Sequence, residues 1–175
     1  MDLFKVIEER YSHKEGFLPT PVPLTHLETI AKAGVAAPSG ANRQTVRLII
    51  LPDREAINPL SNLTPHTGLE TAPAAIAVLT DTTATPPESM SFEKEDYSAA
   101  VENMLLAATA LGYASLWLDS PYFDNEKEKA AKKLLNAPEP LKLWAVLPIG
   151  KPNDKGTRRE KLPYDTRVFC RKFNS

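Results

Sequence analysis

The sequence is poor in the residues that build metal and disulfide sites. It has one cysteine, Cys170, so the chain can form no internal disulfide and no cluster of thiolates for zinc or iron–sulfur. The three histidines, His13, His26 and His66, are scattered and lack the His-x-x-x-His spacing of a helical metal site. We therefore expect no metal site.

The sequence also lacks an excess of either charge and a long apolar run. Its formal net charge is -1, which argues against a general attraction to nucleic acid or to a membrane surface. No apolar run reaches the length of a membrane span, and the N-terminus lacks the basic-then-apolar pattern of a signal peptide. We expect a cytoplasmic protein with neither nucleic-acid nor membrane partners.

Glycine is scarce and proline is abundant, with 7 and 16 residues respectively. Most of the prolines fall between apolar or amphipathic segments, which favours stiff connections over disorder. With 42% hydrophobic residues in 175, the chain can bury a sizeable core, and we expect a single domain over residues 1–175.

The apolar periodicity predicts alternating helices and strands, and hence an α/β or α+β fold. Helices are expected over residues 2–10, 24–35, 54–60, 92–111 and 125–135, and strands over 46–51, 74–79 and 141–149. Residues 113–118 are expected to form a short strand or an extended segment. Thr25 and Glu28 fit a capping box at the start of the second helix. The helix over 92–111 is apolar around much of its circumference, which places it centrally in the fold or at an oligomer interface.

A basic segment follows the first predicted helix. Arg10 offers a planar fork of donors, Lys14 a point charge and Ser12 a hydroxyl, and all three suit a phosphate group. The same cations could instead complement the dipole at the end of the helix.

The connection between the second helix and the first strand carries more polar groups than a turn needs. Ser39, Asn42, Arg43 and Gln44 lie within six positions, after the turn residue Pro38. Such side chains can grip a polar, planar ligand. They can equally satisfy the local backbone, because serine and asparagine are ordinary turn residues.

Two later segments could also approach a ligand. Ala114 and Ser115 are small residues after the longest helix, although packing alone explains them. Lys151 and the run Arg158–Lys161 could close on a phosphate, although charge runs usually form a solvated face.

These segments occur along the chain in the same order as the motifs of a known protein family. The matching residues are Arg10, Ser12 and Lys14; Ala37, Pro38, Ser39, Asn42 and Gln44; Asn103, Ala107, Ala108, Leu111 and Gly112; Ala114, Ser115, Leu116 and Trp117; and Gly150, Pro152 and Arg158 to Lys161. In this order they resemble the motifs of the nitroreductase family of flavin enzymes. One departure is that Thr45 and Val46 stand where the family usually has Pro-Trp.

The resemblance implies an α+β, nitroreductase-like fold, with a central, mostly antiparallel sheet flanked by helices. It further implies a homodimer with the long helix at its interface and FMN bound there. By this analogy Arg10, Ser12 and Lys14 hold the phosphate, with Arg159 and Lys161 as further candidates. The other residues expected to bind the cofactor are Tyr11, Pro38, Ser39, Asn42, Gln44, Ala114 and Ser115.

The implied reaction is hydride transfer from NADH or NADPH through the flavin to a small organic acceptor, by a ping-pong mechanism. Nitroaromatics, quinones and free flavins are candidate acceptors. No catalytic side chain is expected, because the flavin carries the redox step. The alternatives are a non-catalytic or regulatory flavin-binding module, a relative with flavin-destroying or dehalogenating chemistry, and an anion-binding α/β protein without flavin.

Overall fold

An antiparallel sheet of four strands, in the order β1-β2-β4-β3, is the centre of the fold. The computed structural model describes residues 2–86, 88–154, 156 and 158–173. The strands are β1 (Val46–Leu51), β2 (Ala74–Asp81), β3 (Ala114–Ser115) and β4 (Leu141–Gly150). The sheet and its flanking helices confirm the α+β class expected from the sequence.

Six α-helices are found in the described part of the chain. They are α1 (Leu3–Glu9), α2 (Leu24–Val35), α3 (Arg54–Leu63), α4 (Thr67–Thr71), α5 (Glu93–Ala110) and α6 (Asn125–Leu134). Short 3-10 turns occur at Gly40–Asn42, Thr82–Ala84, Ser120–Phe123 and Tyr164–Thr166. Among these residues, no helix has the length and apolar character needed to cross a membrane.

Three details differ from the sequence prediction. The short strand or extended segment expected over 113–118 contains only the two-residue strand β3, and Leu118 makes an isolated bridge to Val146 of β4. The expected capping box is wrong, because the N-cap of α2 is Pro23, two residues before Thr25, and it makes no side-chain cap. Helix α4 was not expected, because five residues are too few to show a helical period.

Strand β2 is buried on both faces, as its continuous apolar run predicts. Ala74, Ile76 and Val78 belong to one core cluster, together with residues of α2 and α5. The intervening residues Ala75, Ala77 and Leu79 belong to a second cluster, with α3 and α6. The alternation follows from the strand geometry, which points successive side chains to opposite faces.

Helix α5 packs on α2 over the first of these faces, which confirms its central place in the fold. A Cβ on Gly34 of α2 would lie 2.8 Å from Cγ of Met104, so the glycine permits this close approach. The amide of Asn103 donates to the carbonyl of Ala33 (3.1 Å) and ties the two helices together.

A buried ion pair fastens α6 to β4. The Glu128 carboxylate accepts from the amide of Leu143 (2.9 Å) and lies 3.5 Å from Nζ of Lys132. Lys132 also donates to the Leu141 carbonyl and to Glu139, both at 2.8 Å. The ammonium group therefore neutralises Glu128 and satisfies a carbonyl of β4.

The substitution Lys132→Met should lower the free energy of unfolding by about 3 kcal/mol, because it leaves the Glu128 carboxylate buried without its cation. Urea unfolding measures the change. The matched control is Lys129→Met on the same helix, whose ion pair with Glu126 is exposed and should contribute no more than about 1 kcal/mol. Equal losses in the two variants would contradict the role assigned to Lys132.

Candidate functional site

The basic segment after α1 is held against the edge of the sheet. The amide of His13 donates to the carbonyl of Ser115 in β3 (3.0 Å). Further along, the amide of Leu18 donates to the carbonyl of Lys151 (2.8 Å), just after β4. These bonds fix the segment between two parts of the chain that are distant in sequence.

A cavity of about 360 Å³ opens beside this segment. Its lining consists of Arg10, Tyr11, Ser12, Lys14, Glu15, Arg158, Arg159 and Lys161. The structure thus brings together the Arg10–Lys14 motif and the basic tail, as the sequence predicts. Five cationic side chains face one carboxylate, Glu15, so the cavity favours an anion with several oxygen atoms.

Arg10 is positioned from the opposite side by α5. Its Nε lies 3.6 Å from a carboxylate oxygen of Glu102, and its side chain is about one fifth exposed. Ser12 and Lys14 are exposed and free to meet a ligand from solvent. The motif therefore combines one oriented guanidinium with two exposed polar groups.

Tyr11 packs against the chain that follows β4. A Cβ on Gly156 would lie 2.3 Å from the Tyr11 ring, and Gly156 has a φ of +59°, which suits glycine. Burial, and then the carboxylates of Asp154 and Glu15, raise the pKa of the Tyr11 hydroxyl. The phenol accordingly stays protonated and can donate to an anion.

The loop between α2 and β1, residues 36–44, is predicted to contact the flavin and is called the flavin loop. It lines a separate, smaller cavity in the same chain. Pro38, Ser39 and Gln44 border this cavity of about 150 Å³, and Asn42 is exposed outside it. Ala114 and Ser115 border neither cavity and are buried, pairing with β4. One chain by itself therefore does not gather all the predicted residues, and the cofactor roles of these six residues stay predictions.

The flavin loop is anchored by Asp96, which sequence reasoning missed. The Gly40 amide donates to Oδ1 of Asp96, and the Thr45 hydroxyl donates to Oδ2, both at 2.7 Å. Asp96 and Thr45 are 2% and 1% exposed, so their hydrogen bond is screened from water. Asp96 lies four residues before Ala100 on the buried face of α5, and a carboxylate there was the available signal.

Thr45 therefore supports the loop at a position where the family usually has proline. Its hydroxyl reaches Asp96, and its carbonyl accepts from the amide of Asp81 (2.8 Å). Proline has no side-chain donor, so this anchoring depends on the residue that departs from the family pattern.

The loop backbone is strained. Ala41, Asn42 and Gln44 have φ values of 51°, 56° and 52°, in the left-handed region that costs about 1–2 kcal/mol for a residue with a Cβ. The hydroxyl of Ser39 accepts from the Gln44 amide (2.9 Å), which helps to hold the turn. Such strain persists where surrounding bonds enforce it, and it clusters at ligand sites.

Two other cationic side chains that the sequence offers for ligand binding instead donate hydrogen bonds to backbone carbonyls of the chain. Arg43 donates to the Met90 carbonyl (2.8 Å) and lies over the Phe92 ring. Lys151 donates to the Gly112 carbonyl (2.5 Å). Neither side chain lines either of the two cavities.

Comparisons with known proteins show the family and the fold of the chain. A family model described as the nitroreductase family matches residues 7–67 and 61–151. A protein of Archaeoglobus fulgidus with the provisional name NADH dehydrogenase/NAD(P)H nitroreductase is 39% identical over 131 residues, which is 74% of each chain.

Solved structures share the fold over nearly the whole chain. A protein of Clostridium acetobutylicum, provisionally named NADH oxidase, is 30% identical with a TM-score of 0.83, covering 96% of this chain and 99% of that one. A provisionally named nitroreductase of Desulfovibrio desulfuricans, solved in complex with FMN, is 27% identical with a TM-score of 0.78, covering 99% of both.

The substitution Thr45→Val should lower the free energy of unfolding by about 1.5–3 kcal/mol, because the buried carboxylate of Asp96 loses the hydrogen bond that the Thr45 hydroxyl donates. Amide hydrogen exchange at Gly40 should become faster, since the loop loses one of its two bonds to Asp96. Thr45→Ser keeps the hydroxyl and is the control. If the serine and valine variants behave alike, the hydroxyl is not the anchor.

Proposed function

The chain belongs to the nitroreductase family, and we propose that it is an FMN-dependent oxidoreductase. In this proposal hydride passes from NADH or NADPH through the flavin to a small organic acceptor such as a nitroaromatic, a quinone or a free flavin. The observation that carries the proposal is the cationic cavity beside the Arg10–Lys14 segment.

The residues of this cavity fit the phosphate end of FMN. A phosphate monoester carries close to two negative charges at neutral pH and accepts hydrogen bonds on three oxygens. Arg10 would supply an oriented guanidinium, Lys14 a mobile ammonium, and Tyr11 and Ser12 neutral donors. Arg158, Arg159 and Lys161 would close over the group from the tail.

The loop around Ser39 would contact the isoalloxazine ring. Asn42 and Gln44 are exposed and carry side chains with both a donor and an acceptor, which match the imide edge of a flavin. Their strained backbone is held by Asp96 and Thr45, so the amides would be set in place before the cofactor arrives.

We further propose that two copies of the chain form a homodimer, in which the flavin loop of one protomer completes the phosphate cavity of its partner. This would unite the two cavities that lie apart in one chain. Exposed apolar side chains on α1 and the tail support an association surface: Leu3, Phe4, Ile7, Leu162, Val168 and Phe173.

FMN supplies the redox chemistry when it is bound. The chain's own residues bind the phosphate, orient the ring and set its electrostatic surroundings. Nicotinamide and acceptor would use the same open face in turn, which gives ping-pong kinetics. We propose no catalytic acid or base among the side chains, because the flavin carries the redox step.

The purified chain, supplied with FMN, should turn yellow, lose its flavin absorbance when NADH or NADPH is added without oxygen, and regain it with a nitroaromatic or quinone. Absorbance spectroscopy follows all three steps. Failure to take up FMN would reject the proposal, whereas FMN that binds but resists both nicotinamides would indicate a non-catalytic flavin module. Light scattering should give about twice the chain mass of 19.3 kDa, and a monomer that keeps its flavin would contradict the dimer.

The substitution Arg10→Ala should raise the dissociation constant for FMN by about tenfold to a hundredfold, because a hydrogen bond to a charged group contributes about 1.5–3 kcal/mol. Quenching of flavin fluorescence measures the constant. The control is Lys5→Ala, which removes a cation of α1 that does not line the cavity. Among the described residues, the Lys5 ammonium forms its ion pair with the exposed Glu9. An unchanged constant for Arg10→Ala, or equal losses in both variants, would count against the phosphate assignment.

A further inference from the structure

A set of three potential metal ligands lies at the rim of the cationic cavity. His13, Glu15 and Asp154 each present one donor atom, and these atoms all lie within 4.8 Å of one another. His13 is fully buried, whereas Glu15 and Asp154 are exposed. The group joins the segment after α1 to the segment after β4, so no local sequence spacing reveals it.

The Gly16 carbonyl organises these three residues. It accepts from the amide of Asn153 (3.2 Å), which brings the segment with Asp154 alongside. It also lies 2.9 Å from Nε2 of His13. The Asp154 carboxylate is turned toward its own loop by accepting from the Gly156 amide (2.8 Å).

The bond to Gly16 determines which nitrogen of His13 carries a proton. A carbonyl oxygen only accepts, so Nε2 must donate, and Nδ1 of the neutral ring then presents a lone pair. In the described part of the chain this buried Nδ1 has no hydrogen-bond partner. It lies 3.6 Å from Oε2 of Glu15, so two atoms that carry lone pairs are close to one another.

A cation between these atoms would remove the conflict. The distance of 3.6 Å is longer than the 2.7–2.9 Å of a direct hydrogen bond between an imidazolium and a carboxylate. It is close to the separation of about 3.4 Å between two tetrahedral ligands that each lie about 2.0–2.2 Å from one metal ion. The spacing therefore suits a shared metal ion better than a shared proton.

We propose that Nδ1 of His13 and the carboxylates of Glu15 and Asp154 form a binding site for a divalent transition-metal ion, with Zn²⁺ as the best-suited representative. Imidazole and carboxylate together favour zinc and its neighbours over magnesium or calcium, which prefer all-oxygen sites. Two carboxylates balance the two charges of the ion, and water completes the coordination. Zinc binding here would overturn the expectation from sequence that the chain has no metal site, and the proposal does not depend on the flavin proposal.

The hydrogen bond that Nε2 of His13 donates to the Gly16 carbonyl also fits a metal ion at Nδ1. A histidine that ligates a metal through one nitrogen usually donates the other N–H to a carbonyl or carboxylate, which fixes the ring and its tautomer.

The test uses the full chain after dialysis against a chelator. Calorimetric titration with ZnCl₂ should show one ion bound per chain, and titration with MgCl₂ should show binding at least tenfold weaker. Anomalous scattering from a zinc-soaked crystal should place the ion at Nδ1 of His13. Absence of zinc binding, or an ion located elsewhere, would overturn the proposal.

Glu15→Gln and Asp154→Asn should each weaken zinc binding by at least tenfold, since loss even of an outer-shell partner costs that much. His13→Gln should abolish it, and the two exposed variants keep the test decisive if this buried position does not tolerate change. Glu160→Gln removes an exposed carboxylate from the same basic tail and should leave the affinity unchanged. Equal zinc affinity in the Glu15, Asp154 and Glu160 variants would refute the site.

Discussion

The burial of β2 on both faces is the constraint on which the rest of the structure depends. Every residue from Ala74 to Leu79 is fully buried, so both faces of the sheet must be covered. Helices α2 and α5 cover one face, and α3 and α6 cover the other. This requirement fixes the position of α5 on the sheet. The position of α5 in turn decides where the Arg10–Lys14 segment and the flavin loop can be held.

Helix α5 links those two segments through carboxylates on its sides. Asp96 receives the two bonds that anchor the flavin loop, and Glu102 pairs with Arg10 beside the cationic cavity. These carboxylates are six residues apart, which is about 9 Å along a helix axis. A helix required for core packing thus also sets the separation between the loop and the phosphate motif within one chain.

The sequence predicts the elements whose period is set by burial. The bounds of α2 and β1 agree with the prediction to the residue, because an apolar stripe and an apolar run both end sharply there. The N-cap of α2 was mispredicted, since Pro23 supplies the cap through its carbonyl rather than Thr25 through its side chain. A pattern that reports burial says little about caps, which depend on backbone bonds.

The site is predictable where motif residues are neighbours in sequence. Arg10, Ser12 and Lys14 line one cavity as expected. The partners Thr45 and Asp96 were not found, because they are 51 positions apart and meet only after α5 packs on the sheet. The same holds for His13 and Asp154, whose contact requires β4 to be in place.

The extended segment after α1 explains how the two proposed sites can lie so close together. Successive side chains of an extended chain point to opposite sides. Ser12 and Lys14 are therefore exposed toward the cationic cavity, while His13 between them is fully buried, with its ring edge against Phe17 (4.8 Å between centroids). A ligand held by Lys14 and an ion held by His13 would act on adjacent residues of one backbone. Order imposed on either side would then lower the entropy cost of binding on the other, so the anion cavity and the ion site would be coupled through the segment itself.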